Sequence, residues 1–159
     1  MTTNRIVVGV DGSLQSRQAL RWAADLAVTT GAAVRAVTVW EFPTTYGWAT
    51  WPTDWDPPRD AHRLLTETVA ESFEGRPPVE IEEVVREGNA AKVLTDEARF
   101  ATMVVVGSRG HGGMAGVLLG SVSARVAEYA ECPVLVVHGD KNLPGTTRKD
   151  TRKEALIAG

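Results

Sequence analysis

The hydrophobic positions of the chain fall into two rhythms that alternate from one end to the other. Short apolar runs read as strands: RIVVGVDGS (5–13) is a buried strand ending at a turn, followed by AVRAVTVW (33–40), VEIEEVV (79–85), TMVVVG (102–107) and PVLVVH (133–138). Between them, apolar residues recur every three or four positions, the period of a helix with one buried stripe. Over 14–30 that stripe is Leu20, Ala23, Ala24 and Ala27, with Ser13 as N-cap and Gly31 as stop. Residues 60–74 have helical character, closed by Gly75, Pro77 and Pro78. Asn89 caps a helix over 90–100 that carries Val93, Leu94, Ala98 and Phe100, and a last helix is predicted from about 120 to 131. The stretch 41–59, with Pro43, Pro52, Pro57 and Pro58, is predicted as a long loop. No internal repeat of fixed period is present.

Strands and helices that alternate five times imply an α/β fold: a doubly wound parallel sheet with helices on both faces and right-handed crossovers. Two strand orders suit five strands, 3-2-1-4-5 and 2-1-3-4-5. The first is favoured because it puts the third strand, with four charges over 80–86, at an edge and the apolar first and fourth strands at the centre. It also puts the wholly apolar VLVV of the last strand at the other edge, without a guarding charge. Such an edge invites pairing, either with a second chain or with the tail folded back. The organisation expected is one domain over 1–138 and a polar, basic-rich extension over 139–159.

Composition narrows the class. The chain has 159 residues, 43% hydrophobic and 23% charged, which suits one globular domain with a substantial core. A net charge of -3 argues against general nucleic-acid affinity, since phosphate contacts need clustered Lys and Arg. The single cysteine, Cys132, cannot form an intrachain disulfide and fits a reducing compartment; a buried, inert thiol is expected there. No apolar run approaches the ~18 residues of a membrane span, and the N-terminal run is interrupted by Asp11, so a cytoplasmic protein with no membrane contact is expected.

The chemistry concentrates in GSRGHGGMAGVLLGS, Gly107 to Ser121, where six glycines fall in fifteen residues between a strand and a helix. Ligands of open parallel sheets bind beyond the carboxyl ends of the strands at the switch point, here between the first and fourth strands. VGVDGS and VVGSRGHGG end those two strands and so face one crevice. Glycines let backbone amides approach an anion closely, and the helix starting near Gly120 and Ser121 adds its free N–H groups, so a phosphate is the expected ligand. The loop has no lysine, which excludes a Walker A site. Residues 110–115, GHGGMA, fit the dinucleotide fingerprint by spacing, but they follow the fourth strand rather than the first.

Gly107, Gly110 and Gly120-Ser121 have the G-x2-G-x9-G-[ST] spacing, and together with IVVGVDGS, GNAAKVLTDEA, MVVVGSRGHGG and GSVSARVAEYAECPVLVV the chain resembles ATP-binding universal stress proteins over residues 4–138. The resemblance implies the 3-2-1-4-5 sheet, ATP as ligand, a regulatory role in stress response and a homodimer through the last strand, 133–138. It places Asp11 and the Val10 backbone at the adenine and ribose side, and Val39 backbone groups at the adenine edge. Gly107, Arg109 and Gly110 would line ribose and phosphates; Gly120, Ser121 and Val122 would hold phosphates through amides and the Ser121 hydroxyl. Slow ATP hydrolysis, autophosphorylation and cyclic AMP binding are the alternatives the resemblance leaves open, and no nucleophile–base pair or kinase signature is visible in the sequence.

Each residue also has a plainer role. Asp11 suits turn support or helix capping as well as ligand contact, and it is the candidate for holding Mg2+ on bound phosphates. Arg109 is either a phosphate contact or a solvated loop charge. His111 is either an exposed side chain or an acid/base near phosphate; His62 and His138 lack metal-ligand spacing. Trp40, Phe42, Tyr46, Trp48, Trp51 and Trp55 make the 40–58 segment a lid, a partner surface or simply a packing element.

Overall fold

Ser13 begins the first helix as its chemistry dictates: its side chain accepts from the Ser16 amide, while Gly31 ends the helix in the left-handed region at φ 69°. The computed structural model describes residues 3–43, 52–110 and 119–138. Their elements are β1 (Arg5–Gly9), α1 (Leu14–Thr30), β2 (Ala33–Trp40), α2 (Pro57–Ser72), β3 (Ile81–Glu87), α3 (Ala90–Ala98), β4 (Met103–Gly107), α4 (Ser121–Tyr129) and β5 (Val134–Val137). The five strands form one parallel sheet in the order β3-β2-β1-β4-β5.

Alternation along the strands divides the core into two layers. On one face Ile6, Val8 and Val10 pack with Leu20, Ala23 and Ala27 of α1 and with Leu65 and Val69 of α2. On the other, Val7, Val37 and Val106 pack with Leu94 and Ala98 of α3 and with Val126 of α4. Val104, Val105 and Val106 are all buried, because β4 is covered on both faces.

Several boundaries differ from the sequence reading. The loop predicted over 41–59 ends early, because Pro57 opens α2: Asp56 caps it and the two prolines occupy its first turn, where no intrahelical N–H partner is lost. That helix stops at Ser72, before Glu74 and Gly75 turn into the left-handed region. β3 starts and ends two residues later than the 79–85 predicted, and its edge position stands. α3 ends at Ala98, leaving Phe100 59% exposed rather than on the buried stripe. Cys132 is only partly buried, and that burial pushes its thiol pKa up. Tyr46, Trp48, Trp51, His111 and the 139–159 tail lie outside the described residues.

Asn89 caps α3 by accepting from the Lys92 amide at 3.1 Å. Asn89→Ala is therefore expected to cost about 1 kcal/mol, read from the denaturation midpoint at constant slope. An unchanged midpoint would show that the cap contributes nothing there.

Candidate functional site

The cleft at the carboxyl ends of the strands arises because β1 and β4 are neighbours whose following segments leave in opposite directions. After β1 the chain turns at Asp11, whose Oδ1 accepts from the Ser13 amide at 2.9 Å. This turn-supporting bond leaves Oδ2 directed at Gly110, where an added Cβ would fall on that oxygen. After β4, the Ser108 amide donates to the Val137 carbonyl, and the Ser108 carbonyl accepts from the Gly120 amide at 2.7 Å. The Ser123 hydroxyl donates to the Gly107 carbonyl at 2.5 Å. These bonds fasten the start of α4 to the end of β4.

The resulting cavity measures about 450 Å³, within the size range of small-molecule sites. It brings together all nine residues singled out in the sequence: Val10, Asp11, Val39, Gly107, Arg109, Gly110, Gly120, Ser121 and Val122. It also draws in residues that sequence reasoning missed. Ala90 and Leu94 of α3 close one side, Gly9, Val37 and Val106 complete the apolar floor, and the buried Ser16 and Ser123 also join the lining. Gly9 had a signal in the sequence, as a glycine interrupting an apolar run; a Cβ there would lie 2.9 Å from Leu94 Cδ1.

The glycines do different jobs. At Gly107 a Cβ would lie 2.7 Å from Gln15 Cβ and 3.0 Å from the Gln15 backbone carbon, so this glycine lets α1 pack against β4. Gly120 has φ -65° and ψ 160°, a conformation open to any residue, and a Cβ there would meet nothing nearer than 3.5 Å. Neither backbone strain nor packing requires that glycine. A side chain there would occupy the cleft wall.

The available polar groups are as specific. The ladder of α4 begins with the Ala124 amide on the Gly120 carbonyl. The Ser121, Val122 and Ser123 amides therefore have no acceptor within the helix, and α4 has no side-chain cap. These amides, at the positive end of the helix dipole, suit an anion. Gly120 itself is not a donor, since its amide is engaged by Ser108. Val10 contributes only backbone: its side chain lies in the α1–α2 layer, its amide donates to the Val37 carbonyl, and its carbonyl accepts from Thr38 Oγ1 at 2.8 Å. Residues two apart in a strand turn their amides and carbonyls to the same neighbour. Val37 gives its carbonyl to Val10, so Val39 presents its own pair on that flank, past the last β1–β2 partners. Arg109 is half-exposed in the lining, and none of the ion pairs among the described residues engages it.

His62 and His138 are both exposed and lie outside the cleft. Among the described residues, no group of three or more His, Cys, Asp or Glu is placed to hold a metal ion. No helix of the described residues is long and apolar enough to cross a membrane.

The fold and cleft define a five-stranded, doubly wound α/β domain with a glycine-lined site at its switch point. The chain belongs to the universal stress protein family, whose sequence pattern it matches over residues 2–138. It is 39% identical over 137 residues to a universal stress protein of Mycolicibacterium smegmatis, covering 83% of this chain and 45% of that one. It is 38% identical over 133 residues to universal stress protein Rv2623 of Mycobacterium tuberculosis, covering 82% and 44%. The chain thus spans about half the length of the curated relatives it matches. Among solved structures, a universal stress protein in complex with cAMP matches with TM-score 0.64 and 29% identity, covering 87% of this chain and 98% of that one. The universal stress protein of Archaeoglobus fulgidus in complex with dAMP matches with TM-score 0.58 and 26% identity, covering 86% and 99%.

Proposed function

We propose that this cleft binds an adenine nucleotide, ATP foremost, and that the protein acts in stress response by changing state with occupancy rather than by turnover. One observation carries the reading: three amides of α4 without helical acceptors line a cleft whose other wall is apolar. A flat base fits Val37, Val39 and Leu94, with the Val39 amide and carbonyl as edge partners; phosphates fit the Ser121, Val122 and Ser123 amides and Arg109. Asp11, a carboxylate, repels phosphate and is better matched to ribose hydroxyls. Mg2+ fits as an ion carried on the phosphates, with Asp11 as the one carboxylate of the lining among the described residues. The nucleotides in two structural relatives support adenine as the base; the cAMP complex keeps a single-phosphate ligand as the second reading.

The half-buried residues Val134, Leu135 and Val136 line a strand with no partner on its outer side among the described residues. This supports a homodimer through β5.

Ser121→Pro tests the contribution of Ser121 at the start of α4. Gly120 already has the extended backbone that a following proline requires, and proline suits the first helical position. The substitution removes one amide and one hydroxyl without breaking α4. ATP affinity is expected to fall about ten-fold or more with thermal stability retained. Unchanged affinity would remove the Ser121 amide and hydroxyl from the phosphate site, and cAMP outcompeting ATP would select the single-phosphate ligand.

A further inference from the structure

A second concavity, of about 360 Å³, lies beside α3 away from the nucleotide cleft. Its polar lining comes from three strands and the helix: Arg5, Arg35, Arg86, Asp96 and Glu97. Its apolar lining is Val93 and Phe100, the latter 59% exposed.

The carboxylates of this region already have partners. Arg35 donates Nε and Nη2 to the two oxygens of Glu82 at 2.9 and 3.1 Å, and Nη1 to Glu97 at 2.9 Å. Arg86 Nε lies 3.6 Å from the other Glu97 oxygen. Asp96 accepts from Lys92 Nζ at 2.6 Å, and that bond, which outweighs the effect of burial, holds its pKa below the ordinary value. Glu82, Glu97 and Asp96 are thus engaged by Arg35, Arg86 and Lys92, and one basic residue of the lining remains.

Arg5 is that remaining cation. It has no ion pair among the described residues, and its Nε is buried without an acceptor. Arg17 Nε and Gln18 Oε1 are also buried without partners, but of the three only Arg5 lines a concavity. Arginine pairs best with a planar carboxylate, through two parallel hydrogen bonds. The exposed ring of Phe100 and the half-buried Val93 add an apolar surface beside it.

We infer that this concavity is a second binding site, for a carboxylate carried on an aromatic or branched apolar group. Arg5 takes the carboxylate, and Phe100 with Val93 takes the apolar part. A free organic acid and the C-terminal residue of a peptide share this chemistry. Helix α3 connects the two sites, since Ala90 and Leu94 line the nucleotide cleft while Val93 and Glu97 line this one.

The test is amide chemical-shift titration of the full chain with N-acetylphenylalanine, its uncharged amide, and a short peptide ending in phenylalanine. The acid is expected to give saturable shifts around Arg5, Val93 and Phe100, with a dissociation constant on the order of 1 mM, and the amide to bind about ten-fold more weakly. Arg5→Met keeps the apolar stem and is expected to abolish the preference for acid over amide. Phe100→Ala, at an exposed position, is expected to weaken both probes while the fold is kept. Tighter binding of the peptide than of the free acid identifies a protein terminus as the source; equal binding identifies a small acid. Absence of saturable shifts, equal binding of acid and amide, or an acid preference that survives Arg5→Met overturns the inference. Each of these outcomes is independent of whether the first cleft binds nucleotide.

Discussion

Gly110→Val is expected to abolish measurable ATP binding, weakening it at least about 100-fold, or roughly 3 kcal/mol, while the protein stays folded. The reason is local. Any Cβ at residue 110 falls on Asp11 Oδ2, so the Asp11 carboxylate must leave the position it holds in the cleft while the valine methyls enter the lining. Gly110 is itself exposed, and no core residue depends on it, so thermal unfolding should shift little. Retained ATP affinity in a folded Gly110→Val protein would mean that nucleotide does not need the Asp11–Gly110 juxtaposition. A protein that fails to fold would instead reassign Gly110 to structure.

Gly107→Val should do the reverse, although both glycines belong to one motif. A Cβ at 107 would lie 2.7 Å from Gln15 Cβ and 3.0 Å from its backbone carbon, and a helix backbone cannot give way as a flexible side-chain end does. The substitution must displace α1 from β4 and is expected to cost about 3 kcal/mol. For a chain of 159 residues that is a fall in Tm of about 6–12 °C, read by calorimetry. A loss below about 1 kcal/mol would show that α1 moves freely over β4.

The contrast between these two glycines marks the limit of what the sequence discloses. Spacing alone groups Gly107, Gly110 and Gly120, yet the first accommodates a helix, the second a carboxylate, and only the third is free of a packing demand. The strand order was legible because it follows from charge and apolarity: Glu80, Glu82, Glu83 and Arg86 mark the third strand as an edge, and the continuous valines of β4 mark a centre. The caps at Ser13, Gly31 and Asn89 were legible because their chemistry is local. Pro57 and Pro58 were misassigned because proline suits both a loop and a helix's first turn, and only the Asp56 cap geometry decides between them.

Cleft residues such as Ala90, Leu94 and Ser123 carried no signal. They are ordinary helix residues whose role depends on where α3 and α4 settle on the sheet. The Gly120 amide could not have been read as engaged, since its acceptor, the Ser108 carbonyl, is twelve residues away in sequence. The ion-pair system of Arg35, Glu82 and Glu97 was likewise invisible, because its members come from three separate elements.

The central claim is that the cleft between β1 and β4 is a nucleotide site, and calorimetric titration of ATP into the wild-type chain tests it most directly. Saturable binding at one ATP per chain is predicted, with a dissociation constant on the order of 1–100 µM and competition by AMP. No saturable binding of ATP, AMP or cAMP up to about 1 mM would contradict it.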